Sequence, residues 1–386
     1  MSATEFPEAD RVEGAPHPRE TRRLIGQEAA EAAFLDAFGA GRLHHAWLLT
    51  GPLGVGKATL AWRIARFLIV NAAEPAGGGL FGAGPAPTTL DVPWEAPAVR
   101  RLLAGAEPRL FLLRRAWDDD KKRLMSVISV DEVRRLRSFL HLSAADGGRR
   151  VVIVDAADEM NLAAANALLK MLEEPPDDVV FLLVSHQPSA LLPTIRSRCR
   201  ALRLMPLSPA DLTAAIAATG AVSDADAAPT GEEAHAAALA VLADGSVGEA
   251  VRLLNLEGLE TYRAIVQLAG TVPGLDRPRA LKLAESAAQR GAEARLDLLI
   301  SLLELFLARL ARAGALGAAG PEAAPGEAAL LARLAPGPAA GRRWAEVQQV
   351  LVARARHARG VNLDPAALLL DMVLRIDETA AALAAR

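Results

Sequence analysis

Gly51-Pro-Leu-Gly-Val-Gly-Lys57 places three glycines and a lysine at the spacing of a loop that wraps a phosphate. Glycines let the backbone N–H groups turn inward, and the lysine adds a positive charge at the start of a helix. The next residue in such loops is a Ser or Thr whose hydroxyl holds Mg²⁺; here it is Ala58. Thr59 is no direct replacement, because one residue turns the side chain about 100° around a helix axis. A second chemical element is Val151-Val-Ile-Val-Asp155, an apolar strand ending in an acid suited to metal. The position after it, where a Glu would activate water, is Ala156. A third is Thr194-Ile-Arg-Ser-Arg-Cys199, a basic loop holding Arg196 and Arg198, with Arg200 next in the chain.

These groups need a scaffold. Ala46–Thr50 is a short apolar run entering the glycine loop, and Thr59–Val70 carries Leu60, Ile64, Phe67 and Leu68 on one helical stripe. A helix is expected over 27–38, ending at Gly39 and Gly41. Leu110–Leu113 reads as a strand, Asp118–Arg123 as a solvated charged loop, and Asp131–Leu140 as a helix with an acid in its first turn. Leu162, Ala165, Leu168, Leu169 and Leu172 form a helical stripe that stops before Pro175-Pro176. Val179–Val184 has the unbroken apolar character of a central parallel strand, with Ser185 at its end. Strands alternating with helices predict an α/β parallel sheet. Residues 71–108 read as a loop or irregular insert. Beyond Pro206 the pattern is helical: 208–219, 231–255 after a polar loop at 223–231, and nearly everything from Glu257 on.

Composition narrows the class. The 386 residues are 52% hydrophobic and 23% charged, enough for two or three cored domains. A formal net charge of −3 gives no global attraction to nucleic acid. Arg134, Arg135 and Arg137 are the candidate local contact with phosphate, though three residues within a turn do not make one stripe. The single cysteine, Cys199, permits neither a disulfide framework nor a Cys-based zinc site, and reads as a small buried side chain. His44, His45 and His186 show no metal spacing. No apolar signal core or membrane-length run occurs, so a cytoplasmic protein is expected.

Taken together, His44–Ala58, Arg149–Asn161, Asn166–Pro176 and Thr194–Cys199 resemble the clamp-loader AAA+ family over roughly residues 24–206. The resemblance implies an AAA+ P-loop domain over 21–206, behind a flexible tail at 1–20. It further implies a small helical lid over 207–256 and a helical oligomerisation collar over 257–386. It casts Arg198 as an arginine finger acting in trans on a neighbour's ATP. Gly51, Gly54, Gly56, Lys57, Thr59, Asp155 and Ser185 become a nucleotide site, vestigial or retained. ATP and Mg²⁺ are left open and zinc is not expected, since the four-cysteine module of many relatives is missing. Clamp-loader motors have Ser or Thr at 58, Glu at 156, and an Arg at the helix start where this chain has Gly248. Three losses at catalytic positions imply the family's non-hydrolysing branch. Its partners would be motor subunits of gamma/tau type, a delta-type clamp opener and, through the complex, the sliding clamp and primed DNA. An active AAA+ ATPase, either a motor or a DNA remodeller, is the alternative; a nucleotide-free adaptor is a third reading.

Overall fold

A computed structural model describes residues 8–71, 87–141, 148–220, 232–289, 292–360 and 363–385. It divides into two compact units, one of residues 1–222 with 245–249, the other of 223–244 with 250–386.

The first unit opens with α1 (Glu28–Gly39), β1 (Ala46–Thr50) and α2 (Lys57–Val70), then α3 (Pro97–Leu103) and β2 (Leu110–Arg114). A ribbon of β3 (Trp117–Asp118) and β4 (Arg123–Leu124) follows, then α4 (Val130–His141), β5 (Arg150–Asp155) and α5 (Leu162–Glu173). The unit continues through β6 (Val179–Ser185), α6 (Pro193–Arg196), β7 (Arg200–Arg203) and α7 (Pro209–Thr219). Five parallel strands form one sheet in the order β2-β5-β6-β1-β7. β5 and β6 read as continuous apolar runs because helices cover both faces. Alternate residues Val152, Val154, Phe181 and Leu183 share a cluster with Leu136 of α4 and Leu168 of α5. On the other face α2 packs on β5 and β6, with Leu60, Ile64 and Leu68 fully buried. Burying each such side chain stabilises the fold by about 1.5–3 kcal/mol.

Several expectations need correction. The segment before residue 20 is no flexible tail where described: His17 is fully buried and the Asp10 side chain is inaccessible. The 71–108 stretch contains α3, started by Pro97 and anchored by buried Val99 and Leu102; residues 72–86 lie outside the described set. The charged run 118–123 is solvated as expected and makes the turn of the β3–β4 ribbon, where Asp118 accepts the N–H groups of Asp120 and Lys121. Leu162 is exposed rather than part of its stripe, because it is the first helical residue after the cap Asn161, whose Oδ1 accepts from Ala164 N–H. No sequence signal marked β7, an edge strand whose two arginines flank Ala201 and buried Leu202.

The second unit is helical: α8 (Glu232–Ala243), most of α9 (Val247–Asn255), α10 (Gly258–Ala269), α11 (Arg277–Glu285), α12 (Glu293–Leu316), α13 (Glu327–Leu334), α14 (Pro338–Gly360) and α15 (Pro365–Ala384). The helix expected over 231–255 breaks at Asp244 and Gly245, both at positive φ; the loop expected at 223–231 lies outside the described residues. α12 and α14 approach through two glycines: a Cβ on Gly314 would stand 2.7 Å from Gly341 Cα. Among the described residues no helix is long and apolar enough to cross a membrane.

Candidate functional site

β6 lies between β5 and β1, so the carboxyl ends of these strands bring Asp155, Ser185 and the glycine loop side by side. Ligands of open parallel sheets sit at this end. Gly51, Gly54 and Gly56 all have positive φ, and each is closely approached. A Cβ on Gly51 would meet the Leu204 carbonyl oxygen at 2.5 Å, and one on Gly54 would meet Ser246 Oγ at 2.3 Å. The loop therefore requires glycine for both its turn and its surroundings.

Lys57 opens α2 and is 3% exposed. Its Nζ turns back on the loop, donating to the Gly51 carbonyl at 2.8 Å and to the Pro52 carbonyl. Burial lowers its pKa to about 8, against the attraction of Asp155 and Asp158. Asp155 is pushed up to about 7, first by burial and then by the charges of Asp10 and Glu159; Lys57 and Arg114 oppose this. Asp155 Oδ2, Ser185 Oγ and His186 Nδ1 are buried with no hydrogen-bond partner. Buried polar atoms are normally satisfied, and these three lie together at the ends of β5 and β6. Burial, and then the Lys57 amine, hold His186 down at about 4, which keeps its ring neutral. The sequence reading passed over His186 because it looked only for metal spacing; its place directly after Ser185 was the available signal.

The parts for hydrolysis are not assembled. Ala58 occupies the first turn of α2 without a hydroxyl, and Thr59 lies one residue further round it, half-buried. Asp158 accepts from the backbone N–H groups of His186 and Gln187, both at 3.0 Å. Glu159 pairs with Arg115 at 2.7 Å. Neither acid is available to replace the base missing at Ala156. One acid without its hydroxyl partner does not make the usual Mg²⁺ set. Among the described residues no group of three or more His, Cys, Asp or Glu could hold a metal.

At Gly248 the structure supplies a steric reason for the absent arginine. The Gly248 N–H donates to the Gly54 carbonyl at 3.1 Å, and Ser246 Oγ donates to the Leu53 carbonyl at 2.9 Å while accepting from Glu249 N–H. A Cβ on Gly248 would lie 3.0 Å from Gly54 Cα. This helix start is backed directly onto the phosphate loop, so a side chain there would crowd Gly54.

Arg198 follows the short helix α6, well away in sequence from the loop. Its guanidinium pairs with Glu173 Oε1 at 2.8 Å and donates to the Thr194 carbonyl at 3.0 Å. It remains about one-third exposed. Cys199 is largely buried, and burial pushes its thiol up to about 12. On α4, Arg134 pairs with Asp131, Arg135 with Glu132, and Arg137 donates to His141, so each arginine has a partner on its own helix. His44 and His45 stack at 4.4 Å, and His45 Nε2 meets the Leu172 carbonyl, tying the entry of β1 to the end of α5.

A parallel sheet with a glycine loop after β1, an acid ending β5 and a polar residue ending β6 is the arrangement of a P-loop α/β module. Residues 88–208 match the family model described as DNA polymerase III, delta subunit. The chain is 44% identical over 155 residues to the DNA polymerase III subunit delta' of Pseudomonas aeruginosa, covering 40% of this chain and 41% of that protein. It is 36% identical over 178 residues to the delta' subunit of Yersinia pestis, covering 46% and 44%. To the gamma/tau subunit of Mycobacterium tuberculosis it is 33% identical over 181 residues, covering 47% and 28%. The chain thus spans less than half the length of the curated relatives it matches. Over the matched residues its α/β unit is similar to the delta' and gamma/tau subunits of DNA polymerase III.

Proposed function

We propose that this chain is a delta'-type subunit of a DNA polymerase III clamp loader, a stator that does not itself hydrolyse ATP. The observation that carries this is the P-loop site itself: the cradle and Lys57 are kept, while Ala58, Ala156 and Gly248 stand where hydrolysis needs functional side chains. The occupied Asp158 and Glu159 support the same reading against an active ATPase. The glycine cradle and the orphaned Asp155, Ser185 and His186 atoms suit a nucleoside phosphate held without turnover. Arg198 would act in trans on the ATP of a gamma/tau-type neighbour. Its partners would include a delta-type subunit and, through the complex, the sliding clamp and primed DNA. On this reading 21–206 is the AAA+ domain, 207–256 the lid and 257–386 the collar, in a cytoplasmic hetero-oligomer.

The test is DNA- and clamp-stimulated ATP hydrolysis by a loader reconstituted with the wild-type chain or with Arg198→Ala, beside the chain alone. The stator reading expects an inert isolated chain and a loss of roughly a thousandfold at the affected site with Arg198→Ala. Turnover by the chain alone, abolished by Lys57→Ala, would establish an active ATPase instead.

A further inference from the structure

The segment 8–24 is fastened at both ends, to α2 and to the end of β2. At one end Arg66 donates to the carbonyls of Arg19 and Thr21 at 2.6 and 2.7 Å, and Arg63 to that of Arg22, stitching the segment to α2. There Leu24 presses on the loop: a Cβ on Gly56 would stand 2.5 Å from Leu24 Cδ1. At the other end Arg114 grips two acids, Asp10 through Nη1 and Glu8 through Nη2 at 2.9 Å. Arg114 ends β2 and is the register partner of Asp155, so the grip lies beside the acid of the site. His17 closes the same cluster. Arg19 N–H donates to its Nδ1 at 3.0 Å, which leaves the ring hydrogen on Nε2, facing Asp10 at 3.2 Å and Glu8 at 3.6 Å. Between the fastenings Val12 stands 3.7 Å from where a Cβ on Gly248 would be.

Asp10 thus brings a second buried carboxylate beside Asp155, and its charge acts on Asp155. A nucleoside phosphate brought to the carboxyl end of the sheet would meet that negative charge. Like charges in a poorly solvated site repel strongly.

We propose that residues 8–17 form a strap, clasped by Asp10 and Glu8 to Arg114, that competes with a nucleoside phosphate for the Gly51–Lys57 cradle. The inference rests on the nucleotide reading of the site. The chain binds nucleotide only from the unclasped state, so its apparent affinity is reduced by the fraction of time the strap is closed. Charge-assisted hydrogen bonds make the clasp the strongest part of the strap.

The experiment uses the full chain as wild type, Asp10→Asn and Arg114→Ala. Calorimetric titration with ATP, with and without Mg²⁺, is paired with amide hydrogen exchange over residues 9–17. Asp10→Asn keeps the shape of the side chain, so it tests the clasp even if Arg114→Ala fails to fold. The expected result is faster exchange in the strap and ATP binding tightened about tenfold or more. Faster exchange with wild-type affinity unchanged would overturn the strap as a competitor and leave the nucleotide site standing. Faster exchange with no ATP binding by any variant would overturn both. Unchanged exchange in Asp10→Asn would show that Asp10 does not hold the strap, and would overturn the proposal.

Discussion

Arg198 and Glu173 form an ion pair of 2.8 Å between the turn after α6 and the last residue of α5. Both side chains are more than one-third exposed, so the pair orients the guanidinium more than it stabilises the fold. Glu173→Ala is expected to change unfolding free energy by under about 1 kcal/mol. In a reconstituted loader it should preserve or raise ATP turnover, since it frees Arg198 without removing it. A severe loss would mean that Glu173 holds Arg198 in its working position.

Asp155 is a site residue that the fold holds against its own preference. Its pKa is raised to about 7 by burial, well above an ordinary carboxylate, so its charged form destabilises the folded chain. The penalty is complete above pH 7 and disappears as pH falls through 7 toward about 4, where both folded and unfolded carboxyls are protonated. Asp155→Asn should therefore stabilise the chain by about 1–3 kcal/mol at pH 8, and by much less near pH 4. Urea unfolding at the two pH values measures this. An equal gain at both would point to packing rather than charge.

Lys57 titrates in the opposite sense. Burial lowers its pKa to about 8, so the unfolded chain holds its proton more tightly. Stability from this group should rise between pH 8 and about 10.4, and Lys57→Met should flatten that slope. Denaturant midpoints of both proteins across pH 7.5–10.5 check it; parallel curves would show that the amine is better solvated than its geometry implies.

Glu327 in the second unit is fully buried and accepts four bonds. Tyr262 Oη and Arg309 Nε donate at 2.6 Å, Ala323 N–H at 2.7 Å and Ala324 N–H at 3.3 Å. It ties the loop before α13 to α10 and α12. Glu327→Ala leaves the buried Tyr262 hydroxyl without its acceptor and Arg309 with only the Pro321 carbonyl, and should cost about 3–5 kcal/mol. Guanidinium unfolding reads this directly, and a loss under about 1 kcal/mol would mean that water replaces the carboxylate.

Gly248→Arg would restore the residue that motors carry there. A Cβ there would crowd Gly54 Cα at 3.0 Å, so the variant should push the helix start away from the loop without creating ATPase activity. A loss of about 1–3 kcal/mol is expected from forcing atoms into a packed site. Thermal unfolding and an ATPase assay of the isolated chain follow both effects.

The sheet was legible where the strand lies centrally. Val151–Val154 and Val179–Val184 are apolar throughout because both faces are covered, and nothing but a buried strand fits that composition at that length. β7 was not legible: it is four residues long with only Leu202 buried, and its end arginines look like a basic loop. The ribbon at 117–124 escaped for a similar reason, since its two strands are too short to carry a period.

By itself the sequence determined the chemistry that this site lacks. A missing hydroxyl at Ala58 and a missing carboxylate at Ala156 are properties of residue type, and no folding restores them. It also determined the cradle, because three glycines and a lysine at that spacing, between an apolar strand and an apolar-striped helix, admit few conformations. Tertiary structure alone decided what fills the space around that cradle. Asp10, His17 and Arg114 meet across about a hundred residues of chain, and their pairing depends on the sheet order that sets the end of β2 beside that of β5. Charges so far apart in sequence have no period or spacing to reveal them. Their meeting comes from burial, which makes each ionised group depend on the partner that the fold brings to it.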